Sequence, residues 1–122
     1  MTGMVDQQFA AAFAADWVAA WNMHDLDRVL AHYADDFVMS SPKIMRIANE
    51  PSGVLHGKAA VRAYWAKALQ MMPELHFELQ NILLGVGSLV LYYTSVSGQL
   101  AAEVFLFDPQ GKVTRSFAHY VL

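Results

Sequence analysis

The 122-residue chain contains no cysteine. That absence removes disulfides, thiolate catalysis and cysteine-ligated zinc in one step, and it suits a cytoplasmic setting. No run of about eighteen apolar residues occurs, so no membrane span is expected. The opening stretch MTGMVDQQFA has no basic segment leading into an apolar core, and no secretory signal is expected from it. Charge is also scarce: charged residues make up 16% of the chain, and the formal net charge is −3 without a basic cluster. Nucleic acid, which needs a positive footprint, is therefore not an expected partner. What the chain has in quantity is apolar. It is 56% hydrophobic and 12% aromatic, enough for one real core at this length and far from a disordered composition. A single domain over 1–122 is expected, with a small molecule, another protein or a second copy of the chain as partner.

Apolar residues recur at helical spacing from Val5 to Trp21, with Phe9, Phe13, Trp17 and Trp21 set among alanines. This predicts an amphipathic helix near 5–22. Asp25 is a good N-cap for a second helix, near 25–34, carrying Leu26, Val29, Leu30 and Tyr33. Phe37 to Ser41 alternates like a short strand that stops at Pro42. The stretch PKIMRIANEPSGVLHG holds two prolines and two glycines and reads as a long loop, more often functional than idle in a compact domain. KAAVRAYWAKALQM predicts a third helix over 58–71, and Pro73 stops its continuation. Everything after Leu75 is β in character: LHFELQNILL, LVLYYTSVS, LAAEVFLFD and KVTRSFAHYVL, divided by GVGS, SGQ and DPQGK. Helices first and an antiparallel meander last make an α+β domain.

This order of elements, with AAWNMHDLDRVLAHYADDFVMSSP, LHGKAAVRAYW and FLFDPQGKV, resembles the nuclear transport factor 2-like, SnoaL-like superfamily over nearly the whole chain. The resemblance implies a cone, in which a strongly curved sheet wraps three helices and leaves a mostly apolar pocket. The superfamily holds ketosteroid isomerase, polyketide cyclases, epoxide hydrolases and non-catalytic association modules, so fold alone does not select an activity. Ketosteroid isomerase is the pattern most readily followed along the chain. It uses an aspartate base at a strand end and an oxyanion hole of a tyrosine and a protonated aspartic acid. Those positions fall here on Ser41, Trp17 and Glu103. A serine cannot replace a carboxylate base, and an indole donates a hydrogen bond without acting as an acid. Steroid isomerisation by that mechanism is not expected.

Glu103 is the principal candidate for chemistry. It interrupts the apolar run LAAEVFLF, where alternation puts Ala101, Glu103, Phe105 and Phe107 on one face. The resemblance assigns that face to the pocket, where burial would raise the carboxyl's pKa and keep it protonated as a donor. A solvated edge position, or a pair with Arg115, is the plainer alternative. His56, ending the long loop, is a candidate base at the pocket mouth, against an ordinary exposed loop histidine. Arg46 and Glu50 could orient a polar ligand group or could be solvated loop charges. His24 and His32 are expected to touch solvent, and His119 to lie on the outer sheet face. No third ligand accompanies any histidine pair, so no metal and no cofactor are expected. Asp35 and Asp36 read as structural, with Arg62 a partner for them. The expected pocket wall consists of Trp17, Trp21, Tyr33, Phe37, Met39, Ser41, Tyr64, Trp65, Tyr92, Phe105, Ser116, Ala118 and Tyr120, which suits a planar or hydrophobic ligand.

The same parity turns Leu91, Tyr93, Val104, Leu106, Phe117, His119 and Val121 outward. So much contiguous apolar surface predicts a homodimer through the outer sheet face. Two functions follow. One is an isomerase, cyclase or lyase on a hydrophobic ligand, with Glu103 as acid. The other is a non-catalytic ligand-binding or dimerisation module.

Overall fold

The computed structural model describes residues 5–122; residues 1–4, where the stretch read for a leader begins, lie outside the described part. Helix α1 (Gln7–Asn22) starts at Asp6, whose side chain accepts from the Phe9 N–H at 2.8 Å, as an N-cap does. Its buried residues Ala10, Phe13, Ala14, Trp17, Ala20 and Trp21 fall three or four apart, which is the stripe that the sequence predicts. Asp25 caps α2 (Leu26–Leu30) in the same manner, accepting from the Arg28 N–H at 3.1 Å.

The second helix is much shorter than the expected 25–34. Tyr33 belongs instead to strand β1 (Tyr33–Ser40), where it pairs with Val113. The expected loop also carries structure: α3 (Pro42–Ile47) and the short strand β2 (Val54–His56). Ser41 is the N-cap of α3 and Pro42 its first residue, a combination that suits a helix start because proline has no N–H to leave unpaired there. Gly53, at φ +71°, brings its carbonyl to the Ser41 N–H at 2.9 Å. A Cβ there would crowd the Ser41 carbonyl at 3.3 Å, so glycine suits this close crossing. Helix α4 (Lys58–Met71) lies where the sequence predicts it.

Strands β3 (Glu78–Gly85), β4 (Ser88–Thr94), β5 (Leu100–Phe107) and β6 (Val113–Tyr120) complete one curved, unclosed six-stranded sheet in the order β2-β1-β6-β5-β4-β3. All pairs are antiparallel except β1 with β6. The α+β cone with a mostly antiparallel sheet is thus as expected, with four α-helices among the described residues in place of three.

Register fixes the faces. Glu103 lies opposite Leu91 on β4 and Ala118 on β6, and directly opposed residues share a face. Leu91 and Tyr93 are accordingly buried on the concave side, and Tyr92 is on the convex side. This reverses the expectation for β4. Concave-face aromatics interlock with α1: Trp17 stacks on Phe77 at 5.5 Å and meets Tyr93 and Phe105 edge-on at 5.4 and 5.5 Å. Offset and edge-to-face contacts of this kind add about 1 kcal/mol each beyond area burial. Asn22 ties the helix end to the chain entering β3, donating to the Phe77 carbonyl at 3.0 Å and accepting from its N–H at 2.7 Å.

Candidate functional site

Between the helices and the concave sheet face lies a cavity of about 50 Å³. That is room for a few waters or a small organic group, less than the usual several hundred Å³ of a drug-sized site. Its walls are Trp17, Trp21, Met39 and Trp65 together with Tyr64, Tyr93 and Tyr120, and Glu103 is its carboxyl group.

Glu103 is 3% exposed. The Tyr93 hydroxyl donates to its Oε1 at 3.1 Å, while Oε2 is buried without a hydrogen-bond partner in the protein. No ion pair reaches it among the described residues. Arg115, the plainer partner, lies on the convex face with its guanidinium over the Phe117 ring at 5.4 Å. Burial pushes the Glu103 carboxyl up to about 7, with the Tyr93 hydrogen bond pulling the other way, since desolvation penalises the charged form and a donated bond favours it. The neighbouring phenols respond in turn. Burial, then the nearby carboxylate, raises Tyr93 well above its ordinary value. Tyr64 is pushed up to about 12, chiefly by burial, with the Ser41 hydroxyl opposing. Burial, then the Glu103 charge, also raises Tyr120 well above its ordinary value, so all three phenols are neutral at any ordinary pH.

Of the wall residues expected from the sequence, Trp17, Trp21, Met39, Tyr64, Trp65 and Tyr120 line this cavity. Tyr33, Phe37 and Phe105 are fully buried core behind it. The Tyr33 hydroxyl accepts from Trp17 Nε1 at 3.0 Å, so the indole proton is committed to the core and not offered beside Glu103. Ser116 is completely buried, with its Oγ unpartnered. Ser41 and Ala118 line a separate shallow groove, together with Tyr120. The Ser41 hydroxyl accepts from the Lys43 N–H at 3.2 Å. Tyr92 does not line the cavity; its neighbour Tyr93 does.

His56 is exposed on the edge strand β2, opposite Val38, and does not line the cavity. Arg46 is exposed on α3, and Glu50 accepts from the Ser52 N–H at 2.9 Å. His32 contacts Asp16 at 2.6 Å, and Asp16 also accepts from Arg28. His24 contacts the Leu75 carbonyl at 2.9 Å, and His119 is exposed, as parity predicts. Arg62 pairs with Asp27 at 2.6 Å, not with Asp35, which lies 3.4 Å from Lys58. No group of three or more residues among those described is arranged to hold a metal ion. No described helix is long and apolar enough to cross a membrane.

Nine cavity residues escape the sequence reading, Tyr93 and Lys43 among them. Tyr93 is missed because LVLYYTS is apolar on both parities, so alternation is silent there. Lys43 lines the cavity from α3; the Ser-Pro start of that helix is the signal that could have placed it.

Comparison with solved structures gives the fold independent support. A SnoaL-like protein of unknown function from Burkholderia thailandensis is 51% identical, with a TM-score of 0.93 over 98% of this chain and 99% of that one. IdmH, a candidate polyketide cyclase from Streptomyces antibioticus, superposes with a TM-score of 0.76 at 14% identity over 91% of both chains. SalBIII, an epoxide hydrolase/cyclase-like enzyme of pyran-ring formation in the polyether salinomycin, reaches 0.73 at 18% identity, over 96% of this chain and 94% of its own. At such identities the last two share the fold alone. Among curated proteins, none matches the sequence. The SnoaL-like domain family model matches residues 14–122. With that match over most of its length, the chain belongs to the SnoaL-like domain family.

Proposed function

We propose that the protein takes a small hydrophobic ligand into the cone and acts on it as an isomerase, cyclase or lyase, with Glu103 as the acid. One observation carries this reading: a carboxyl group lines an aromatic cavity, with one oxygen held by Tyr93 and the other buried without a partner. With Oε1 accepting from Tyr93, a proton on Oε2 is free to be donated to a ligand carbonyl. As negative charge develops on that oxygen, in an enolate for example, the donated bond strengthens in a site of low dielectric constant. A carboxyl poised at about 7 exchanges its proton readily near neutral pH. No second carboxylate or histidine lines the cavity, so Glu103 leads as acid, and the proton lost in an enolisation or ring closure passes to water or to a basic group of the ligand itself. Cyclisation in the names of two fold neighbours, IdmH and SalBIII, supports the class and not the substrate.

The alternative, a non-catalytic binding or dimerisation module, is favoured by the small cavity volume and the missing base. In either case the chain is read as a homodimer through its convex sheet face. The deciding experiment has two parts. Native mass spectrometry of the purified protein is expected to show a retained apolar molecule. Turnover of that molecule should fall at least about tenfold in Glu103→Gln. A retained molecule that neither form converts leaves the binding module as the function.

A further inference from the structure

The cavity has a second polar group. Lys43 lines it from α3, half-buried, with Nζ 4.1 Å from the centroid of the Tyr120 ring. Tyr120 is itself a wall of the cavity. No carboxylate pairs with the Lys43 ammonium among the described residues: Asp16, Asp27 and Asp35 are engaged elsewhere, and Glu50 turns to its own loop. Nor does any ion pair join Lys43 to Glu103. Arg46 lies one turn further along the same helix. Its charge acts on the Lys43 ammonium and on the Tyr64 phenol, so its field reaches the cavity wall. In a chain of net charge −3, this rim is locally positive.

A half-buried ammonium held over a ring, without a counter-ion, has given up hydration for a cation–π contact alone. Burial and Arg46 both push its pKa below the ordinary lysine value. An anion arriving at the rim reverses both penalties. Two buried wall groups present the complementary demand. Glu103 Oε2 is buried without a partner, and Trp21, another wall residue, has its Nε1 donor buried and unsatisfied. Both are met by ligand oxygens.

We infer that Lys43, supported by Arg46, is an anion-recognition residue at the cavity rim, and that the ligand is an apolar oxo acid with its carboxylate on Lys43 and its carbonyl toward Glu103. The inference rests on the cavity being the ligand site, as proposed above, and adds the substrate class. The Lys43 ammonium gives the carboxylate a charge-assisted contact. The Glu103 hydroxyl gives the carbonyl its hydrogen bond, and the aromatic walls hold the apolar body between them.

The test uses benzoylformate and its neutral methyl ester as probes, with binding followed by calorimetry. The acid is expected to bind wild type at least about tenfold more tightly than the ester. Lys43→Met, which keeps the apolar stem, and Lys43→Gln should each weaken the acid and leave the ester unchanged, abolishing the preference. Glu103→Leu, which removes the donor that a glutamine would keep, should weaken both probes. Circular dichroism identifies any variant that fails to fold, and the second Lys43 variant then carries the comparison. Equal affinity for the two probes in wild type, or a preference that survives at Lys43, overturns the inference. Ester binding that still depends on Glu103 would in that case leave the cavity's proposed function standing. Binding of neither probe up to about 10 mM would overturn both.

Discussion

Tyr93 holds Glu103 from the neighbouring strand: its hydroxyl donates to the carboxyl Oε1 at 3.1 Å, inside the sheet's concave face. The two residues are not directly opposed, since Tyr93 faces Ala101 and Glu103 faces Leu91. The bond runs diagonally, within reach of a long aromatic side chain. It favours the charged form of a carboxyl that burial drives the other way. Removing the hydroxyl with Tyr93→Phe should therefore raise the Glu103 pKa further above about 7. Carbonyl-labelled NMR titration of the free protein checks this. A value at or below that of wild type would show that the phenol does not tune the acid.

The same titration has a stability consequence. Glu103 moves from 4.5 to about 7 on folding, so the folded state binds the proton more tightly. Its contribution is most favourable below the unfolded value, fades as pH rises from 4.5 through about 7, and is flat above. The full difference is about 3 kcal/mol. Urea midpoints should accordingly be higher at about pH 5.5 than at about pH 8 in wild type, and that difference should shrink in Glu103→Gln. An identical pH slope in the variant would place the stability change on other groups.

Glu103 was legible because a single polar residue on an otherwise apolar strand face leaves little choice about where it points. Tyr93 was not, because Leu89, Leu91 and Tyr93 alternate with Val90 and Tyr92, and both sets are apolar. Only pairing with β5 separates them. The α1 stripe and the α4 helix carry enough turns for periodicity to register. Helix α3 has six residues, too few for a 3.6-residue repeat, and its start at Ser41 and Pro42 was hidden by the neighbouring strand. Tyr33 looked helical because its spacing from Val29 and Leu30 is helical, yet its partner is eighty residues away, at Val113. Long-range pairing of that kind is invisible to local pattern. The aromatic cavity was legible as a class. Its rim lysine depended on α3 and was not.

Asn22 offers a test of how the helical layer is tied to the sheet. Its side-chain amide satisfies both backbone groups of Phe77, at 3.0 and 2.7 Å. Asn22→Ala leaves a part-buried N–H and C=O unpartnered, and should destabilise the fold by about 2–3 kcal/mol. Asn22→Asp keeps the acceptor and loses the donor, so it should cost less. Chemical denaturation of both variants gives the comparison. Equal stability of Asn22→Ala and wild type would show that water replaces the clamp at no cost.

The convex sheet face carries the last expectation. With the register in hand, its apolar residues are Val90 and Tyr92 on β4, Val104 and Leu106 on β5, and Phe117 on β6, all partly exposed. Leu91 and Tyr93 drop out of the set read from sequence, and Val90 and Tyr92 enter it. Val104 lies between Val90 and Phe117 in adjacent strands, so these side chains form one continuous strip at the middle of the sheet. A self-complementary strip of this kind closes most simply on a two-fold axis. The protein should sediment as a dimer at micromolar concentration. Val104→Glu should shift it to monomer, because a carboxylate on each copy would have to be desolvated in the middle of the apolar strip, a cost that the nearby Arg115 on the same face offsets only in part. Asp36→Asn, at an exposed carboxylate on β1, should leave the dimer unchanged. Wild-type protein that sediments only as monomer, or a Val104→Glu dimer indistinguishable from wild type, would remove this face as the interface.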